Sequence, residues 1–136
     1  MKAFRPVALI FGATLAVAVS AATLEVTIAN VKSSDGMLML ALYDSAGYRT
    51  TPLRAVAQPA STPVFRFADL PEGDYAVAVY HDVNRNGKLD ANLLGVPTEP
   101  YGFSLHGPAG IGAPAWHEAK VELPAAGAQI GVTLSN

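Results

Sequence analysis

The sequence predicts an all-β domain, an antiparallel β-sandwich of the immunoglobulin or transthyretin-like type with six or seven short strands. Three observations carry that expectation. Period-two alternation of apolar and polar residues recurs in short segments, clusters of Pro, Gly, Asp and Ser separate them, and no segment repeats apolar residues at helical spacing. An open barrel built from the same strands is the runner-up.

The first strand is read at Leu24, Val26 and Ile28, which alternate with Thr23, Glu25, Thr27 and Ala29 and so place one face in a core and the other in water. Ser33-Ser34-Asp35-Gly36 supplies turn chemistry, and Met37 to Tyr43, apolar on both faces, reads as a central strand forming a hairpin with the first. Asp44 to Thr62, with Gly47, Pro52 and Pro59, has weak periodicity and reads as a long connection with one helical turn between Leu53 and Ala57. Pro63 to Phe67 alternates with both aromatics inward, and Pro71-Glu72-Gly73-Asp74 turns the chain into Tyr75 to Tyr80, a second hairpin. From Asp82 to Pro114 the chain is rich in Asn, Asp, Gly and Pro and almost without strand pattern. Alternation resumes at Ala119, Val121 and Leu123 and again at Ile130, Val132 and Leu134, a third hairpin around Pro124 to Gly127.

The chain starts Met1-Lys2-Ala3-Phe4-Arg5, runs apolar from Val7 to Val19 except for Gly12 and Thr14, and reaches small residues at Ser20-Ala21-Ala22. This is the pattern of a signal peptide, residues 1–21, with cleavage expected after Ala21; the apolar stretch is shorter than the roughly 20 residues a membrane span needs. Residues 22–136 are then one domain, exported to the periplasm or beyond, with no membrane insertion after cleavage, and a monomer is expected. Taking Lys2 and Arg5 from nine basic residues leaves seven against eleven acidic ones, a net charge of −4, which argues against nucleic acid and anionic lipid as partners. With no Cys, the fold must rest on a packed core or a bound ion rather than on disulfides.

The chemistry concentrates in His81-Asp82-Val83-Asn84-Arg85-Asn86-Gly87-Lys88-Leu89-Asp90. Counted from Asp82, side-chain oxygens stand at positions one, three and five, a Gly at six, a backbone carbonyl at seven and a carboxylate at nine. Alternate residues turn their oxygens to one side, and Gly permits the sharp bend that brings the seventh carbonyl back to them. Asp82, Asn84, Asn86, the Lys88 carbonyl and Asp90 are therefore the candidate ligands of a calcium ion. Position twelve is Leu93 instead of a bidentate Glu, so the loop is not an EF-hand; Asn92, Glu99 or water would complete the set. With two charged ligands the affinity belongs at the weak end, on the order of 10⁻⁴–10⁻³ M. The competing account is a turn whose Asn and Asp side chains satisfy its own backbone.

No reaction is specified by the sequence, and a non-enzymatic module binding an unidentified envelope or extracellular partner is expected. The rival is a metal-assisted hydrolase using His81, Asp82 and His106. His81 is on the inward parity of its strand and reads first as a buried histidine bonded to a loop carbonyl. Its spacings to His106 and from there to His117 match no ligand motif. Ser104 follows Gly102, but the second Gly of a nucleophile elbow is a residue late, at Gly107. Tyr80, Tyr101, Phe103 and Trp116 either line a shallow recess for a sugar or peptide or, the reading preferred here, pack as the lid of the long loop.

The stretch Leu70-Pro71-Glu72-Gly73-Asp74-Tyr75-Ala76-Val77-Ala78-Val79-Tyr80-His81-Asp82-Val83-Asn84-Arg85-Asn86-Gly87-Lys88-Leu89-Asp90, followed by Gly95-Val96-Pro97-Thr98-Glu99-Pro100-Tyr101-Gly102-Phe103-Ser104, resembles the bacterial domain-of-unknown-function family numbered 2141. The resemblance covers residues 23–135. It implies a secreted or periplasmic protein of β-sandwich appearance and assigns no activity, cofactor or residue role.

Overall fold

A computed structural model of the chain describes residues 21–105 and 112–135, together with Ala3, Ile10, Gly12 and Ala13. The expected signal peptide, apart from those four residues and Ala21, lies outside the described residues, as does His106.

Among the described residues, eight strands and one helical turn follow each other: β1 (Ala21–Ala29), β2 (Met37–Tyr43), β3 (Arg54–Pro59), β4 (Val64–Pro71), β5 (Gly73–Asp82), β6 (Tyr101–Phe103), α1 (Trp116–Ala119), β7 (Val121–Leu123) and β8 (Ala128–Thr133). They form two sheets that do not close into a barrel. One has the order β4-β1-β8, the other β3-β2-β5-β6 with β7 also paired to β5. Between them lies a core of Leu24, Val26, Phe65, Phe67 and Val132 from the smaller sheet against Leu38, Leu40, Leu42, Val77 and Val79 from the larger. The expected β-sandwich is the observed fold, and the alternation that located its strands is the in-and-out alternation about this core.

The pairings differ from those expected. β1 pairs with β4 antiparallel and with β8 parallel, while β2 pairs with β3 and β5. None of the three expected hairpins forms: the turns at Ser33–Gly36, Pro71–Asp74 and Pro124–Gly127 each carry the chain from one sheet to the other. Turn residues dictate that the chain reverses; they do not dictate whether the returning strand lies beside the first or across the core from it. The segment read as a long connection with a helical turn contains β3, an edge strand on β2. Its Arg-Ala-Val-Ala-Gln-Pro sequence carries little β signal because the strand is largely exposed. Two of the edge strands are flanked or ended by proline, Pro52 and Pro59 at β3 and Pro63 and Pro71 at β4, residues with no N–H to offer a further strand.

One close approach positions the site. Gly36, at φ +73°, lies so near the end of β5 that a Cβ there would stand 2.1 Å from the Asp82 carbonyl oxygen and 2.7 Å from the Val83 Cα. Next to it the Asp35 carbonyl is 2.6 Å from His81 Nε2. The crossover into β2 thus buttresses the start of the Asp82 loop.

Candidate functional site

Asp82, the last residue of β5, is 2% exposed and anchors the loop that follows. Its Oδ1 accepts the Asn86 N–H at 3.1 Å and its Oδ2 the Gly87 N–H at 2.8 Å. The chain doubles back at Gly87, whose φ of +79° is the left-handed conformation expected of the sixth loop position. The fold brings the expected side chains together. Asn84 Nδ2 donates to Asp90 Oδ2 at 2.6 Å, and Asn86 Nδ2 donates to Asp90 Oδ1. Asn84 Oδ1 accepts the Asn86 N–H and Asn86 Oδ1 the Lys88 N–H, two successive Asx turns. The hydrogen bonds from Asn86 and then Asn84 favour the ionised carboxylate and hold the Asp90 pKa below its ordinary value.

Glu99 completes the arrangement. It is 7% exposed; its Oε2 accepts the Val83 N–H at 2.7 Å and its Oε1 the Asp90 N–H at 3.0 Å, clasping both ends of the loop with one carboxylate. The sequence offered Glu99 only as a substitute ligand; its signal was that no other acidic residue stands between Asp90 and Glu118. Asn92 is turned away, its Oδ1 accepting the N–H groups of Leu94 and Val96. Among the described residues, no three His, Asp or Glu side chains group closely enough to hold a metal by themselves. A cation at this loop therefore needs the amide oxygens of Asn84 and Asn86 or the Lys88 carbonyl.

His81 is 1% exposed. A carbonyl only accepts, so the short contact to Asp35 makes Nε2 the protonated nitrogen and commits it to the crossover. Ser104 is fully buried; its Oγ donates to the Ala119 carbonyl and accepts the Val77 N–H at 3.0 Å, so it holds the β5 backbone and faces no solvent.

The aromatic residues divide. Trp116 packs edgewise on Tyr48, with centroids 5.5 Å apart, in the manner of a loop lid. Tyr80, Tyr101 and Phe103 instead line a recess of about 370 Å³ on the outer face of the larger sheet, with Leu89 of the loop also against it. The Tyr80 hydroxyl donates to the Gly87 carbonyl at 3.1 Å, joining recess to loop; burial first, then the nearby Asp82 and Glu99 carboxylates, raise its pKa.

A family model described as "Uncharacterized protein conserved in bacteria (DUF2141)" matches residues 26–130. No curated protein and no solved structure matches the chain.

Proposed function

We propose, from the premise that the chain belongs to the DUF2141 family of conserved bacterial proteins, that it is an exported, non-enzymatic binding module whose Asp82–Asp90 loop takes up one weakly held calcium ion. The observation that carries the reading is the curl of the loop about Asp82 and Gly87, which gathers the side chains of Asn84, Asn86 and Asp90 at one place, so that a turn of the two amide groups would offer their oxygens beside the Asp90 carboxylate. The donor set is oxygen alone, carboxylate and amide, the chemistry that suits a hard cation. Export rests on the signal-like amino terminus and periplasmic or extracellular residence follows from it; the acidic mature domain acts as a monomer on an envelope or extracellular partner.

A second reading has its own observation. The side chains of Asn84, Asn86 and Asp90 already satisfy one another, as a loop that binds nothing would. Against the hydrolase stands the commitment of His81 Nε2 to the Asp35 carbonyl.

Thermal unfolding in calcium and in chelator separates the first two. Calcium at tenfold above its dissociation constant raises stability by about 1.4 kcal/mol, and Asp90→Ala removes the increment. An unfolding midpoint indifferent to several millimolar calcium would overturn the ion. Export is tested by sequencing the amino terminus of the processed protein, expected at Ala22.

A further inference from the structure

The outward face of the larger sheet departs from the usual polar exterior of a sandwich. Strand register lays its side chains out in rows across the strands. One row is Ala57, Met39, Tyr80 and Tyr101; the next is Ala55, Ala41, Ala78 and Phe103. Beyond it stand Tyr43 and Ala76. Three consecutive alanines thus run between a wall of Met39, Tyr80 and Tyr101 on one side and Tyr43 on the other. Phe103 stops the trough at the β6 end, and Leu89, carried by the Asp82–Asp90 loop, leans over it.

We propose that this trough is a binding site for one elongated, uncharged apolar molecule, of the class of a medium-length acyl chain. None of the residues lining it is charged, so an ionic group inside would lose its hydration without a partner. A ligand with a charged end must keep that end in water. The three spaces between β3, β2, β5 and β6 give it a length of roughly 14 Å. Its floor is one residue row wide, and neighbouring rows lie about 7 Å apart along a strand. That slot admits a chain of methylenes. A flat partner surface or a second copy of the sheet would rest on Met39, Tyr80 and Tyr43 without reaching the alanines. The volume of about 370 Å³ sits in the lower part of the range of small-molecule sites, which begins near 300 Å³. The site depends on neither export nor calcium.

The test uses the chain with its signal segment removed, the neutral dye N-phenyl-1-naphthylamine as probe and decanol as competitor. Saturable binding of one dye per chain is expected, displaced by decanol. Ala41→Leu, which puts three more carbons on the floor, weakens binding at least tenfold. Ala55→Leu, on the exposed edge strand where added bulk meets water, does the same without threatening the core. Leu89→Ala weakens it by a smaller factor. Three outcomes overturn the proposal: no saturable binding; binding that both leucine variants leave unchanged while their urea midpoints match the parent; or a dimer in sedimentation that the same variants dissociate, which would assign the face to a second copy.

Discussion

Replacing Glu99 by Gln removes one acceptor and changes almost nothing else in shape. In the native loop the two carboxylate oxygens each receive one backbone N–H, from Val83 at 2.7 Å and from Asp90 at 3.0 Å. Glutamine keeps one acceptor oxygen, and its amide nitrogen must then face the other N–H, donor against donor. Losing one hydrogen bond to a charged group costs about 1.5–3 kcal/mol, and water reaching the part-buried amide recovers some of it. We therefore expect a loss of about 2 kcal/mol in the stability of the loop against opening. The assay is hydrogen exchange at the Val83 and Asp90 amides, where 2 kcal/mol corresponds to roughly thirtyfold faster exchange. The urea midpoint falls in step only if the loop opens together with the sandwich. Glu99→Ala, which deletes both acceptors, should exceed the Gln variant at both amides. If either amide in Glu99→Gln exchanges within about twofold of the parent, the clasp does not hold the loop and the reasoning fails.

Two other outcomes follow from the same neighbourhood. Gly36→Ala forces a side chain into a left-handed conformation and against the Asp82 carbonyl, so strain and backbone displacement together should cost about 3 kcal/mol; an unchanged urea midpoint at constant slope would contradict the close approach. Because Asp90 titrates below its ordinary value in the folded state, its contribution is present above the unfolded-state pKa and is lost as pH falls through the lowered one. Asn86→Ala, removing the largest cause of the shift, should move the Asp90 carboxyl titration, followed by NMR, upward in pH; a titration that stays put would show that the Asn86 hydrogen bond does not form.

Alternation located β1, β4, β7 and β8, and unbroken apolar runs next to turn residues located β2 and β5, because each puts alternate residues into a core that water cannot enter. It could not see β3, whose side chains pack on little, nor β6, three residues with a glycine between two aromatics. Partners were less legible than strands: Glu72 alone separates β4 from β5, yet the two strands belong to different sheets. The parallel pairing of β1 with β8 joins segments about a hundred residues apart, beyond any local signal. At the loop the spacing of Asp82, Asn84, Asn86 and Asp90 did carry through to the structure, since a nine-residue turn is decided locally. The clasp by Glu99 and the alanine floor of the trough did not show, the second because Ala55 and Ala57 sat in the segment read as a connection.

The sheet-crossing turns also govern how the molecule comes into being. Of the strands consecutive in sequence, only β2 with β3 and β5 with β6 are partners, and each pair is joined by a long excursion in place of a tight turn. Neither sheet can therefore zip up from a quick local hairpin. The smaller sheet waits for the two ends of the domain to meet, and ring closures of that length precede any reward from burial. Folding on a scale of roughly milliseconds to seconds is what such non-local wiring produces. A chain threading a membrane in extended form would have that interval in which to cross before its two layers close on each other.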